Sequence, residues 1–211
     1  SEKIVNFLIN KNIKALIIAC NSASSVAKDK IESLCQIPVF EVISPAVERA
    51  IKTTKNNHIC VIGTQTTINS KIYSKKILDI NTNINVSEIA CPLFVPVIEE
   101  GLEDSNISYE IVKLYLDCIK NSNIDTLILG CTHYPIIKQQ LINHLSNGIN
   151  YITSGNPVGE WIKKYLTNNN LLNTTTNNSI QFYVSDSPDK FKILGSKFLD
   201  DNIFNIELVQ L

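Results

Sequence analysis

The feature that most constrains this chain is a regular alternation of short apolar runs with segments of helical period. Eight runs rich in Val, Ile and Leu recur, at 14–19, 37–43, 58–62, 85–90, 126–129, 149–152, 179–184 and 205–209. Several are apolar without a break, the pattern of parallel strands covered on both faces. Between them, helices fit at 22–35, 45–55, 67–78, 107–120, 135–145, 157–166 and 188–199. Pro45, Pro135, Pro157 and Pro188 stand at the starts of four of these, where a fixed φ and a missing N–H do no harm. This order predicts an α/β fold with doubly wound parallel sheets and right-handed crossovers. The polar stretch 167–178, rich in Asn and Thr, reads as an exposed loop.

The chain also echoes itself. Ile13-Lys-Ala-Leu-Ile-Ile-Ala-Cys20-Asn21-Ser22 aligns with Ile124-Asp-Thr-Leu-Ile-Leu-Gly-Cys131-Thr132-His133. Each is an apolar strand, a small residue, a cysteine and two polar residues that open a helix. The next strand begins 17 residues after Cys20 and 18 after Cys131. Two matches with the same downstream spacing predict two pseudo-symmetric α/β halves with the active site in the cleft between them. The first is expected at 1–46 with 155–211, since the tail strands need a sheet to join. The second is expected at 47–154.

Ligands of open α/β sheets bind at the carboxyl ends of the strands, where both cysteines sit. A helix N-terminus there presents free N–H groups and a positive dipole end, which favour thiolate. Asn21, Ser22, Thr132 and His133 add hydrogen-bonding groups able to hold a carboxylate or an ammonium. Two facing thiols suit stereoinversion at carbon: one thiolate removes a proton and the opposite thiol delivers one. Core filling is the competing role, because free Cys is among the most buried residue types. On the residues alone both roles stay open for Cys20 and Cys131. Core or turn roles fit Cys35, Cys60, Cys91 and Cys118.

Other chemistries are disfavoured. The 19 basic and 20 acidic residues leave a net charge of -1, no electrostatic case for nucleic acid or an anionic membrane. No apolar run approaches the roughly 18 residues needed to span a bilayer, and 1–14 does not resemble a signal peptide. A cytoplasmic location is therefore expected. The cysteines form no C-x-x-C pair or zinc spacing, and no glycine-rich phosphate loop is present. A thiol redox role is weak, since Cys20 and Cys131 stand 111 residues apart.

Ala19-Cys-Asn-Ser-Ala-Ser24 and Leu129-Gly-Cys-Thr-His-Tyr-Pro135 resemble the two cysteine motifs of the cofactor-independent glutamate racemase family. Ile62-Gly-Thr-Gln-Thr-Thr-Ile-Asn-Ser70, Cys91-Pro-Leu-Phe-Val-Pro-Val-Ile-Glu-Glu-Gly101 and Phe182-Tyr-Val-Ser-Asp-Ser-Pro-Asp-Lys-Phe191 extend the likeness through the chain. The resemblance implies interconversion of L- and D-glutamate without cofactor or metal. That activity supplies D-glutamate for peptidoglycan, hence cell-wall biogenesis and cell shape. It implies Cys20 and Cys131 as the two acid/bases, and Asn21, Ser22, Thr64, Thr67, Thr132 and His133 as substrate ligands. His133 and a carboxylate of the Glu99-Glu100 pair, with Glu100 favoured, would assist proton transfer at Cys131. A homodimer is implied by the same analogy.

Some positions depart from the family pattern. Ser22 stands where Thr is usual, and Thr153 where Asp is usual. The family opens with an Asp-Ser-Gly strand and a Tyr-Gly substrate loop, and neither precedes Cys20. With no Met in the chain and a start at Ser1, roughly 50 residues are expected to be missing if each βαβ step takes about 30. Two further readings follow: an aspartate racemase, against which His133 argues, and a non-catalytic fragment.

Overall fold

The computed structural model describes residues 1–145, 148–173 and 179–211. The chain opens with α1 (Glu2–Ile9), β1 (Leu16–Ile18), α2 (Asn21–Leu34), β2 (Val39–Glu41) and α3 (Ile43–Thr53). The central part holds β3 (His58–Gly63), α4 (Gln65–Asn69), α5 (Ile72–Ile80), β4 (Asn85–Ala90), α6 (Phe94–Glu99) and α7 (Asn106–Leu116). It continues with β5 (Thr126–Gly130), α8 (Lys138–His144) and β6 (Asn150–Ile152). The tail is α9 (Gly155–Asn168), β7 (Phe182–Val184), α10 (Pro188–Leu199) and β8 (Ile206–Leu208).

All strand pairs in the described residues are parallel, as the βα alternation predicts. β4, β3, β5 and β6 form one sheet in that order, with Gly63 of β3 in register with Ala90 and Gly130. The period-two alternation of a strand explains why its central members are apolar throughout. Cys60, Ile62, Leu127 and Leu129 face a core completed by Phe94, Ile98, Leu116, Tyr134 and Leu141. Ile59, Val61 and Ile128 face the opposite core, with Ile43, Val47, Tyr73 and Ile77 from α3 and α5. β3 and β5 are thereby fixed between two helical layers, and whatever follows Gly63 and Gly130 is held rigidly.

β1 and β2 pair with each other, and β7 and β8 form a third pair. The tail meets the first segment through α1. Phe7 stacks edge-on against Tyr183 at 5.0 Å, with the Lys11 ammonium over both rings. Trp161 of α9 sits edge-on to Phe40 of β2 at 4.9 Å. At the end of β2 the buried Glu41 carboxylate accepts the N–H groups of Ile43 and Ser44, capping α3.

Two local features differ from the periodicity. The helix expected at 67–78 is divided into α4 and α5, because Lys71 takes a left-handed φ of 57°. The segment 94–99, which carries two prolines nearby, forms the short helix α6. The expected loop at 167–178 begins with the last turn of α9, and 174–178 lie outside the described residues. Among the described residues no helix is long and apolar enough to cross a membrane.

Candidate active site

Three strand ends build the site. Cys20 follows β1 and caps α2, Thr64 follows β3 and caps α4, and Cys131 follows β5. Gly130 makes the last position possible. A Cβ there would meet the Ile62 carbonyl oxygen at 2.8 Å and the Tyr73 ring at 3.3 Å. Glycine lets β5 stay close to β3 while the chain turns into Cys131.

The two sheets are tied together at this end by side chains. Ser22 Oγ lies 2.7 Å from Thr64 Oγ1 and 3.3 Å from Thr67 Oγ1, and the two threonine oxygens are 3.1 Å apart. Thr64 Oγ1 also accepts the Thr67 N–H at 3.3 Å, the usual helix N-cap bond. Beside this triangle, the Tyr73 hydroxyl donates to Asn21 Oδ1 at 2.6 Å. Burial pushes the Tyr73 phenol well above its ordinary value, so it remains a neutral donor. Asn21 is 2 % exposed, and its Nδ2 is buried with no partner. Tyr73 therefore fixes the amide with its oxygen satisfied and its two N–H donors free for an acceptor.

The two thiols differ in setting. Cys20 is exposed. Cys131 is 7 % exposed, and burial pushes its thiol up to about 11. The His133 and Tyr134 N–H groups oppose that rise, while the nearby charge of Cys20 adds to it.

Behind Cys131 stands a polar chain. His133 Nδ1 is 3.8 Å from Cys131 Sγ, and His133 Nε2 is 3.4 Å from Glu99 Oε1. A carboxylate opposite Nε2 keeps the proton there and leaves Nδ1 as an acceptor toward the thiol. Of the Glu99-Glu100 pair, Glu99 is the one the structure places against His133, whereas Glu100, the favoured candidate, is exposed and follows the end of α6. Thr132 is exposed on the Cys131 turn.

The structure thus brings Asn21, Ser22, Thr64 and Thr67 together, and joins Cys131, His133 and Glu99. Tyr73 escaped the sequence reading, because it lies 52 residues from the Asn21 it orients. Among the described residues no three His, Cys, Asp or Glu side chains converge as a metal ligand set. His144 is buried against Asp117 at 3.0 Å, consistent with a structural role.

Parallel α/β layers thus present two strand-end thiols, one of them beside an imidazole. Residues 2–156 match the Asp/Glu/hydantoin racemase family, and the chain belongs to that family of racemases. It is 39% identical over 213 residues to a glutamate racemase of Neisseria meningitidis, spanning 100% of this chain and 78% of that protein. A glutamate racemase structure from Bacillus anthracis superposes with a TM-score of 0.94 at 33% identity, over 99% of this chain and 78% of that one. Another from Francisella tularensis, in complex with D-glutamate, gives 0.92 at 40% identity, over 98% and 77%.

Proposed function

We propose that this chain is a glutamate racemase in which Cys20 and Cys131 act as opposed acid and base on the two faces of Cα. One observation carries the reading. The two echoed cysteines follow strands of two sheets that the Ser22, Thr64 and Thr67 hydroxyls tie together, and Asn21 beside Cys20 holds a buried amide donor without a partner. The likeness to racemases of this name, one of them solved with D-glutamate, supports glutamate over aspartate.

In this reading the Asn21 amide and the hydroxyls of Ser22, Thr64 and Thr67 hold the substrate carboxylates, with Thr132 and His133 on the opposite side. Burial keeps Cys131 protonated near neutral pH, so Cys131 is the proton donor when Cys20 takes the Cα proton. For the other enantiomer His133 draws the Cys131 proton toward Nδ1, and the thiolate so formed is the base. Glu99 balances the positive charge on the ring. Two thiols exchanging one proton through a carbanion call for no cofactor, and the carbanion is stabilised by the fixed donors around it. The product would supply cytoplasmic peptidoglycan synthesis. A homodimer and the expected halves, 1–46 with 155–211 and 47–154, belong to the same proposal.

The test is solvent exchange in D2O with each enantiomer of glutamate. Deuterium at Cα is expected from either one. Replacing Cys20 or Cys131 by Ala should lower turnover by ~10³-fold, in the range of a lost general acid or base. Full activity in the double variant, or faster turnover of aspartate than glutamate, would overturn the reading.

A further inference from the structure

The C-terminal helix α10 reaches the Cys131 side of the site at three points. Lys190 Nζ lies 3.3 Å from Glu99 Oε2, while the other oxygen of the same carboxylate faces His133. Two turns further on, Phe198 sets its ring edge-on to the His133 imidazole, with centroids 5.4 Å apart and an 87° angle between planes. Lys197 pairs with Glu103, a carboxylate only 7 % exposed, just past the end of α6. A spacing of seven or eight residues returns to the same helix face. One face of α10 therefore meets the relay and the loop beside it.

We propose that Lys190 is a positioning residue for the Cys131 side of the reaction. It holds the outer oxygen of Glu99 so that the inner oxygen stays on His133. The consequence for turnover rests on the racemase reading, and the geometry does not.

Glu99 is the last residue of α6, and its side chain is about a third exposed at 34%. A glutamate side chain has up to ~2 kcal/mol of rotamer freedom to lose, and one contact at the edge of solvent does not hold it. Partners on both oxygens fix the plane of the carboxylate. A fixed acceptor opposite Nε2 keeps the ring proton there and leaves Nδ1 directed at Cys131 Sγ. Phe198 covers the flank of the ring and limits its swing. The Lys190 pair is solvent-exposed, so its direct worth to folding is small. Its effect lies in geometry, where a displacement of about 1 Å in a supporting group is costly to rate.

Crystal structures and steady-state kinetics of Lys190→Gln, Lys190→Arg and Lys197→Gln, beside the parent protein, decide the matter. In Lys190→Gln, Glu99 should leave His133, and kcat should fall ~5-fold with KM changed by less than about twofold. Lys190→Arg should preserve the contact and the rate. Lys197→Gln, which loosens α10 without touching Glu99, should leave Glu99 in place. Glu99 still facing His133 in Lys190→Gln overturns the proposal, as does an unchanged kcat. An equal displacement in Lys197→Gln also overturns it, because helix docking would then be the cause. A protein with no racemase activity would sink the functional reading, and the Glu99 geometry would still decide this one.

Discussion

Cys20 and Cys131 hold the same place in the sequence echo, each just after a strand, yet their surroundings are unlike. β1 is three residues long and pairs with β2, and Ile17 in its middle is 48% exposed. Cys20 at its end is open to solvent. β5 is five residues long and buried along its whole length between β3 and β6. Cys131 is enclosed and backed by His133 and Glu99. Around Cys20 the support comes from Tyr73, Thr64 and Thr67, which belong to the other strand–helix unit. Repetition of a local motif sets where a thiol stands. The sheet beneath it sets whether that thiol is open to solvent or enclosed.

The largest expected effect tests the steric side of this contrast. Gly130→Ala drives a Cβ into the Ile62 carbonyl and should cost ~3 kcal/mol, the upper end for overpacking, read as a drop in the urea midpoint. Its counterpart in the echo, Ala19, is exposed and already carries a Cβ, so Ala19→Val should cost less than about 1 kcal/mol. Equal losses would mean that the two turns are packed alike.

The relay is the next target. Glu99→Gln should lower kcat ~10-fold, whereas Glu100→Gln should change it by less than about twofold, as a supporting carboxylate and a solvated one differ. The opposite ranking would restore Glu100 as the partner of His133.

The smallest effect concerns alkaline pH. The unfolded Cys131 thiol ionises near its ordinary 9.0, whereas burial holds the folded one at about 11. Between these values the folded chain binds more protons than the unfolded one, so stability falls as pH rises. The loss from this group should be about 1 kcal/mol over the first pH unit above 9. Cys60, pushed up to about 12 by burial, adds to the loss in the same direction. Thermal melts across this range should decline, and less steeply in Cys131→Ser. An identical slope would show that the Cys131 thiol is not held protonated by the fold.

Much of this architecture is legible in the sequence. Each of the eight runs contains a strand, and the most continuously apolar ones, β3 and β5, are those covered on both faces. The cysteine turns are legible because small and polar residues recur after those runs. What escapes is set by contacts distant in sequence or by rare backbone geometry. A left-handed Lys71 has no side-chain signature, so the break between α4 and α5 is invisible in the periodicity. α6 is six residues long, too short to set a period, and without its phase Glu99 and Glu100 look alike. Lys190 meets Glu99 across 91 residues, which no local pattern records.

The hydroxyls of Ser22, Thr64 and Thr67 have a consequence for how the site fills. Three oxygens at mutual distances of 2.7, 3.1 and 3.3 Å share three protons, so each can donate once and accept once in a closed ring. An arriving anion needs a proton aimed outward, and the ring has none to spare. One hydroxyl must rotate away from its neighbour, giving up a bond worth about 1 kcal/mol. Ser22 belongs to one sheet and the two threonines to the other, so the bonds at risk include those that stitch the seam. On the proposed binding role of these hydroxyls, occupancy of the site and closure of the seam would draw on the same three protons.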